Sequence, residues 1–257
     1  MKALSVVIIT FNEEKQLGKC LASVMSIADE IIVLDSFSTD KTQEIAKQYN
    51  AKFYQHPFDG HIQQKNRAIT YASNNFILSL DADEMLSPQL RQLIAKEKEI
   101  GTQDGYTMNR LNFYEGKPIK TCGLYPDKKL RLWDASKGKW EGRNPHDMFV
   151  LAQNSSVSHL NADILHNTWP TKAAFLKQCK NFAAISAQHL SAEYPAYRLL
   201  FKSITHSIFR FIKAYVIKTG FLSGYTGLFI SYHMSKEVFL KYYLAYKIRS
   251  QKHHSTH

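Results

Sequence analysis

Two aspartates separated by a single residue, Asp81 and Asp83, follow an apolar segment that has the composition of a buried strand. Carboxylates on such a rigid base can bind one hard divalent cation, magnesium or manganese, because these ions prefer oxygen ligands. A cation bound at this Asp-x-Asp (DxD) motif could bridge a diphosphate and stabilise it as a leaving group. The same spacing also occurs in solvated turns, so it is the position at a strand end that favours the metal site.

Polar side chains also follow the first two apolar segments of the chain, as expected if these segments are neighbouring strands. Thr10 and Asn12 could line a pocket in which Asp35 accepts a hydrogen bond from a nucleobase N–H. Alternatively, these side chains cap the helices that begin just after them, and capping is the interpretation we favour for Asp40. Lys65, near the start of a predicted helix, could pair with a phosphate, although a lone lysine on a helix is more often solvated.

The elements that must position these residues alternate between strand and helix over the first hundred residues. Strands are predicted at 4–9, 30–34, 51–54 and 76–80, and helices at 13–25, 42–49 and 61–72, with a further helix opened by Ser87-Pro88. This alternation predicts an α/β fold with a doubly wound, mostly parallel sheet flanked by helices. Ligands of such sheets bind at the carboxyl ends of the strands. The sequence has no Gly-x-Gly-x-x-Gly and no Gly-Lys-Ser/Thr loop, which weighs against dehydrogenases and nucleoside triphosphatases.

Four segments in order carry a resemblance to a known family: Ser-Val-Val-Ile-Ile-Thr-Phe-Asn-Glu-Glu at 5–14, Asp-Ser-Phe-Ser-Thr-Asp at 35–40, Gln-Lys-Asn at 64–66 and Leu-Asp-Ala-Asp-Glu at 80–84. Together they resemble family 2 glycosyltransferases, which have the GT-A fold. Tyr-Pro-Asp at 125–127, Arg-Leu-Trp at 131–133 and Gly-Phe-Leu-Ser-Gly-Tyr-Thr-Gly at 220–227 resemble later motifs of a bacterial subgroup. That subgroup adds a sugar, typically β-linked glucose, to a heptose of the lipopolysaccharide inner core.

The resemblance implies an inverting, metal-dependent transfer of a hexose, glucose in this subgroup, from a UDP-sugar to that heptose. The residues that it places around the base and ribose of the donor are Thr10, Asn12, Glu13 and Asp35, with Asp35 facing uracil. It also implies that Asp81 contacts the nucleotide sugar, that Asp83 holds magnesium or manganese, and that Lys65 lies near the donor. The family usually has glycine where Phe37 stands, and phenylalanine adopts a positive φ only at a cost.

An inverting transfer needs a carboxylate that takes the proton from the acceptor hydroxyl as the anomeric carbon is attacked. Asp147 is the candidate, because Pro145-His146-Asp147 stands where the subgroup has Val-His-Glu. Aspartate keeps the chemistry of glutamate but is one methylene shorter. His146 could orient this carboxylate or approach the metal, or it could be an ordinary structural histidine. Asp127 and Glu141 are the alternative bases.

The whole net charge of +11 comes from the last third of the chain. Residues 171–257 contain 13 lysines and arginines and two acids, whereas residues 1–170 contain 20 basic and 20 acidic side chains. A helix over 199–217 would carry one polar stripe, formed by Lys202, His206, Arg210 and Lys213, with apolar residues on the remaining arc. Basic and aromatic residues with few acids are typical of a helix on an anionic membrane surface, although amphipathic helices more often pack on their own domain. A second stretch of this composition lies at 239–248.

These features divide the chain into a predicted GT-A domain at 1–170 and a basic helical segment at 171–257. Within the domain, residues 1–100 are predicted to bind the nucleotide sugar and residues 101–170 to face the acceptor. The three cysteines lie far apart in sequence, which indicates a reduced protein without a disulfide framework. We expect no export signal and no spanning helix, and a location on the cytoplasmic face of the inner membrane.

Two other functions remain open at this stage. A glycosyltransferase that acts on another cell-envelope polysaccharide or lipid would share the donor motifs. A basic nucleic-acid-binding protein would explain the charge of the tail, but it would leave the acidic strand-end cluster without a purpose. Because Asp81 and Asp83 repel phosphate, no nucleic acid is expected as a partner.

Overall fold

The structure is a computed structural model that describes residues 2–143 and 146–254, without the side chains of Arg143, His146 and residues 252–254. Two compact units can be distinguished. Unit 1 comprises Met1–Leu111 and Asp127–Asn167, and unit 2 comprises Asn112–Pro126 and Thr168–His257. The functional division predicted at 1–100, 101–170 and 171–257 stays a prediction.

Strands and helices alternate through the first hundred residues, as predicted. The strands of the chain are β1 (Leu4–Thr10), β2 (Glu30–Asp35), β3 (Lys52–Gln55), β4 (Phe76–Asp81), β5 (Glu84–Leu86), β6 (Gly105–Tyr114), β7 (Lys117–Pro118), β8 (Asp127–Asp134), β9 (Gly138–Arg143), β10 (His146–Leu151) and β11 (Val157–Trp169). The helices that flank the sheet are α1 (Leu17–Val24), α2 (Thr42–Gln48), α3 (His61–Thr70) and α4 (Pro88–Ile100). Ser87 caps α4 by accepting a hydrogen bond from the Leu90 N–H.

The main sheet has the strand order β3-β2-β1-β4-β8-β6-β11-β5, with β7 beside β6. The first four strands are parallel, and β8 then pairs antiparallel with β4. The prediction of an α/β GT-A fold, with a sheet that begins as a parallel array between helices, is therefore confirmed. Burial of both faces of β1 explains its continuous apolar run. Leu4, Val6 and Ile8 are fully buried on one face, and Val7 is nearly so on the other.

The register of the parallel strands brings the predicted polar clusters to one edge. Thr10 pairs with Asp35 across β1 and β2, and Ile9 pairs with Asp81 across β1 and β4. The carboxyl ends of three strands therefore meet, as ligand sites of such sheets require. The Asp147 carboxylate comes from a separate element, the antiparallel hairpin of β9 and β10.

The short strand β5 is not among the strands that the sequence predicts. Residues 84–86 pair antiparallel with β11, and Glu84 lies opposite His166. Three residues are too few to show a period in the sequence, so the pairing is visible only in the fold. Its consequence is that a distant histidine reaches the acidic turn.

Phe37 adopts the backbone conformation for which the family usually has glycine. Its φ is +61°, in the left-handed region, and its side chain is half-exposed. The loop between β2 and α2 thus keeps the glycine-type conformation despite the phenylalanine. A phenylalanine at this φ has the steric cost of the left-handed region, which a glycine would avoid.

A matched pair of substitutions tests this cost. We expect the variant Phe37→Gly to be more stable than Phe37→Val by about 1–2 kcal/mol, because a β-branched residue is disfavoured at positive φ. The measurement is urea unfolding of the two variants. The same pair at Phe11, which is similarly exposed but lies outside the left-handed region, serves as control and should not favour glycine. Equal stabilities of the two Phe37 variants would contradict the assigned conformation.

Unit 2 is largely helical. Its helices are α5 (Lys172–Glu193), α6 (Ala196–Ile212) and α7 (Gly224–His254), with a π-helical turn at Lys213–Ile217 and a 3-10 turn at Gly220–Ser223 between the last two. The predicted helix over 199–217 thus ends as an α-helix at Ile212, and the second basic stretch is part of α7. No helix among the described residues has both the length and the apolar composition needed to cross a bilayer.

Candidate active site

Lys65 lies at the centre of the acidic site in unit 1. Its Nζ is 3.0 Å from a carboxylate oxygen of Asp81 and 2.8 Å from one of Asp147. The ammonium group also lies over the ring of Trp140, 4.6 Å from its centroid. Because only 4% of the lysine side chain is exposed, the interpretation of a solvated lysine does not apply. This one cation joins the DxD motif to the candidate base.

Asp81 is held between two buried cations. Arg131 donates from one terminal nitrogen to Asp81 at 3.1 Å and to Glu84 at 2.8 Å. Glu84 is fully buried and accepts a hydrogen bond from the backbone N–H of Asp81 at 3.1 Å. Burial would raise the pKa of Asp81, but the charges of Lys65 and Arg131 outweigh it and hold that pKa well below its ordinary value. Asp81 is therefore ionised, and its charge is compensated within the protein.

Asp83 differs from Asp81, which is 27% exposed, in its partners rather than in its exposure. Its side chain is 30% exposed, and its carboxylate oxygen lies 3.1 Å from Nε2 of His166. The pairing of β5 with β11 creates this contact, and the N–H of Asn167 donates to the carbonyl of Asp83 at 3.1 Å. The carboxylate and the imidazole are thus presented from two paired strands.

The donor set fits a divalent cation that takes its remaining ligands from a substrate. Among the side chains that the structure describes, no group of three or more His, Cys, Asp or Glu is suited to a metal. Magnesium bound with nucleotides commonly uses only one or two protein ligands plus phosphate oxygens, and manganese accepts imidazole as well as carboxylate. Asp83 and His166 meet that requirement. Asp81 is engaged by Lys65 and Arg131, so it is less suited to be a metal ligand.

Thr10 is the last residue of β1, and Asn12 and Glu13 lie in the loop that follows it. The Thr10 hydroxyl is buried, and within the described residues it has no hydrogen-bond partner. Asn12, at a φ of +53°, accepts from the N–H of Thr39 at 2.8 Å and so ties this loop to the next one. Burial, and then the negative charges of Asp83 and Asp40, raise the pKa of Glu13 to about 7. Near neutral pH, Glu13 is therefore a carboxyl group that changes charge beside the acidic site.

Asp35 is fully buried at the end of β2. Its carboxylate accepts from the N–H of Ser38 at 2.8 Å, from the Ser38 hydroxyl and from the side-chain amide of Gln55 at 3.1 Å. These bonds hold the loop that contains Phe37. The role of Asp35 toward uracil stays a prediction.

Asp40 contacts the start of α2 but does not occupy its N-cap position, which is Lys41. Its carboxylate accepts from the N–H and the hydroxyl of Thr42, the first residue of α2, at 3.0 and 2.5 Å. It also accepts from the N–H of Glu14 at 3.0 Å, which again connects the loops after β1 and β2. Asp40 is thus occupied in shaping these two loops.

The Gln-Lys-Asn motif of α3 contacts the β9–β10 pair that contains Asp147. Asn66 donates to the backbone carbonyl of Trp140 and accepts from its N–H, both at 2.9 Å, which fastens β9 to α3. Gln64 is fully buried and donates to the Ser36 hydroxyl at 2.9 Å. Each residue of the motif therefore contacts a different strand end or hairpin, and Lys65 is directed between them.

The alternative bases lie in less suitable places. Asp127 forms ion pairs with Arg110 at 2.7 Å and Lys129 at 3.1 Å. Glu141 is exposed and pairs with Lys139 at 3.2 Å. The side chain of His146 lies outside the described residues, so its predicted roles toward the base or the metal stay predictions. Asp147 remains the candidate that directly contacts the acidic site.

Comparison with known proteins decides the family. A model of glycosyl transferase family 2 matches residues 5–150, more than half of the chain. The chain belongs to glycosyl transferase family 2. This family 2 member is 30% identical over 237 residues to an uncharacterized glycosyltransferase of Rickettsia typhi, which covers 88% of this chain and 81% of that protein.

Two further similarities were found for this family 2 glycosyltransferase. It is 31% identical over 172 residues to the lipopolysaccharide core biosynthesis glycosyltransferase LpsC of Rhizobium meliloti, with 61% of this chain and 62% of LpsC covered. Among solved structures, glucosyl-3-phosphoglycerate synthase of Mycobacterium tuberculosis, in complex with Mn2+, UDP and glucosyl-3-phosphoglycerate, superposes with a TM-score of 0.46 at 17% identity. That superposition covers 66% of this chain and 73% of the synthase.

Three residues of the site in this glycosyltransferase were missed from the sequence. Glu84 stands directly after the DxD motif, and Arg131 opens the Arg-Leu-Trp motif, so both carried a usable signal. Each is a charged residue in a segment otherwise fit for a buried strand, and such a residue needs a partner. His166 carried no such signal, because only the pairing of β5 with β11 brings it to Asp83.

Proposed function

We propose that this family 2 glycosyltransferase is an inverting, metal-dependent hexosyltransferase that moves a hexose, with glucose as the first candidate, from a UDP-sugar to a heptose of the lipopolysaccharide inner core. The observation that supports it most strongly is the joined site of unit 1. There, Lys65 contacts both Asp81 and Asp147, and Arg131 contacts Asp81. Asp83, two residues after Asp81 in the chain, contacts His166 at 3.1 Å.

The donor side of the proposal assigns a role to each charged group. When bound by Asp83 and His166, magnesium or manganese supplies positive charge to the diphosphate leaving group. Lys65 presents a compact ammonium that is suited to contact a phosphate oxygen, whereas Arg131 is held by Asp81 and Glu84 and keeps the DxD turn in place. Thr10, Asn12, Glu13 and Asp35 are proposed to line the nucleoside, because their strand ends and loops adjoin this edge of the sheet.

The acceptor side of the proposal rests on Asp147. As the acceptor oxygen forms a bond to the anomeric carbon, Asp147 takes the hydroxyl proton and the bond to the diphosphate oxygen breaks on the opposite face. In the described structure the carboxylate is paired with Lys65 at 2.8 Å. A donor diphosphate that attracts Lys65 would weaken this pair. The Asp147 carboxylate would then be free to contact the acceptor hydroxyl once the donor is bound.

The identity of the acceptor is supported by two similarities. LpsC, named for lipopolysaccharide core biosynthesis, is 31% identical over 172 residues. The motifs at 125–127, 131–133 and 220–227 resemble the subgroup that glycosylates an inner-core heptose. We therefore propose a lipid-linked heptose as acceptor and the cytoplasmic face of the inner membrane as the place of reaction.

A donor panel tests the proposed function. The full chain is incubated with manganese or magnesium and with UDP-glucose, UDP-galactose, UDP-N-acetylglucosamine or GDP-mannose, with and without heptose-containing inner-core acceptor. The expected result is release of UDP from a UDP-hexose, which depends on both metal and acceptor and is abolished by EDTA. Release of nucleoside diphosphate from GDP-mannose alone would contradict the assignment of a UDP-sugar as donor. Transfer only to another envelope acceptor would contradict the assignment of a heptose as acceptor. Salt-dependent retention of DNA or RNA that UDP does not affect would favour the nucleic-acid alternative.

A further inference from the structure

Helix α6 of unit 2 exposes its large apolar side chains. Tyr197, Phe201, Ile204 and Ile208 follow one another at steps of four, three and four residues, so they lie on one face of the helix. Their exposed fractions are 69%, 69%, 52% and 56%. Ile212 continues the same face at 44%. We call these five residues the outer face of α6.

The opposite side of α6 packs within unit 2 and includes two buried serines. Ser203 and Ser207 are buried, and so is Leu199. The Ser235 hydroxyl on α7 donates to the carbonyl of Ser207 at 2.8 Å, which marks the side of α6 that packs on α7. An amphipathic helix that packed on its own domain would bury its bulkiest residues. This helix has the reverse arrangement, because its outer face contains the isoleucines and aromatic residues.

The apolar surface continues beyond the end of α6. The rings of Phe211 and Tyr215 stack with centroids 5.4 Å apart, and Tyr215 meets Phe221 edge-on at 6.4 Å. Phe221 and its neighbour Leu222 are 49% and 70% exposed. The surface therefore passes from the helix through the π-helical turn to the 3-10 turn. Soluble monomers rarely expose an apolar surface of this length without a partner.

The charges around this surface have one sign. From residue 194 to residue 236 the chain contains no aspartate or glutamate, and the basic residues there are Arg198, Lys202, Arg210, Lys213, Lys218 and Lys236. Lys202, which belongs to the predicted polar stripe, has its ammonium 4.0 Å from the ring centroid of Tyr194. Arg198, Lys213 and Lys218 are exposed and can reach an external anion. Exposed tyrosines and aliphatic residues bordered by cations are typical of a surface that enters the headgroup region of a bilayer.

We propose that the outer face of α6, with Phe221 and Leu222, inserts into the surface layer of an anionic lipid bilayer, so that α6 lies in the membrane plane and unit 2 is a monotopic anchor. The apolar side chains enter the boundary between headgroups and acyl chains, and Arg198, Lys213 and Lys218 contact anionic headgroups. Most of the binding free energy then comes from apolar burial, while the charges select anionic lipid. This inference concerns unit 2 and does not depend on the reaction assigned to unit 1.

Flotation of the full chain with vesicles tests the insertion. Vesicles of phosphatidylcholine with and without phosphatidylglycerol are compared for the wild type and for the triple variant Phe201→Ser, Ile204→Ser and Ile208→Ser. The wild type should bind both vesicles and prefer the anionic ones, and the triple variant should lose at least about 100-fold in partition constant. A matched control replaces three apolar residues of unit 1 with similar exposure, Met25, Phe58 and Ile100, by serine and should bind like the wild type. Circular dichroism of each variant establishes that its helices are retained.

A second variant separates charge from apolar insertion. Replacing Arg198, Lys213 and Lys218 by glutamine should remove the preference for phosphatidylglycerol while leaving binding to phosphatidylcholine nearly unchanged. Unchanged flotation of the folded triple serine variant would overturn the proposal. The proposal would also be overturned if the wild type bound no vesicle but formed a dimer in sedimentation analysis, and the serine variant did not form that dimer. A second copy of the chain would then cover the outer face.

Discussion

Replacing Asp147 by asparagine is expected to slow glycosyl transfer by about 1,000-fold while the affinity for UDP stays within about threefold of the wild type. Asparagine keeps the shape of the side chain but cannot accept the proton of the acceptor hydroxyl. Lys65 would lose one of its two carboxylate partners and keep Asp81 at 3.0 Å, so the donor side of the site is preserved. The measurements are the rate of UDP release with acceptor at saturation and the UDP dissociation constant by calorimetry.

The control for this prediction is the substitution Glu141→Gln. Glu141 lies on β9, the partner strand of the same hairpin, but its side chain is exposed and pairs with Lys139 at 3.2 Å. This variant should transfer at close to the wild-type rate. If Asp147→Asn transfers normally and Asp127→Asn does not, the base is Asp127 and the assignment made here is wrong.

The parallel half of the sheet could be predicted because its determinants are local. A run of β-branched residues such as Val6 to Ile9 has to be buried on both faces, and a polar residue directly after it marks the strand end. Since parallel strands start at one edge and end at the other, the predicted ends of β1, β2 and β4 had to meet. The register that pairs Thr10 with Asp35 confirms this arrangement.

The contacts of the site depended on long-range pairing and could be predicted only in part. Lys65 was predicted to lie near the donor from resemblance, whereas its residue type and position alone favoured a solvated lysine. Its burial follows from the Asn66 bonds that fasten β9 to α3, and those bonds join residues 74 positions apart. His166 lies 83 positions from Asp83 and is brought there by a strand of three residues. No local pattern encodes either contact.

The orientation of α6 shows a different limit. The spacing of apolar and basic residues predicted both faces of the helix, but it could not decide which face packs inward. The small side chains of Ser203 and Ser207 decide it, because they allow α6 to approach α7 closely. A pattern with small residues on one side and large apolar residues on the other is therefore the signal to look for in such tails.

The two aspartates of the DxD motif should respond differently to the same substitution. Asp81→Asn removes the negative charge that lies between the buried cations Lys65 and Arg131, and it should lower the free energy of unfolding by about 3 kcal/mol at neutral pH. Because the pKa of Asp81 is held below its ordinary value of 3.8, this stabilisation is complete above about pH 3.8 and is lost as the pH falls further. The difference in stability between the wild type and this variant should therefore shrink in acid, as measured by urea unfolding at several pH values.

Asp83→Asn should leave folding nearly unchanged and abolish the metal-dependent function. Its carboxylate is 30% exposed and is paired with His166 at the rim of the buried network, so the unfolding free energy should change by less than about 1 kcal/mol. With one of the two proposed metal ligands weakened, the affinity for UDP in the presence of manganese should fall by at least about 100-fold, and transfer should fall by about 1,000-fold. UDP affinity measured in EDTA is the internal control and should match the wild type. If a folded Asp83→Asn variant binds manganese and UDP like the wild type, Asp83 is not a metal ligand. If Asp83→Asn destabilises the protein more than Asp81→Asn does, Asp81 is not the residue that balances the charges of Lys65 and Arg131.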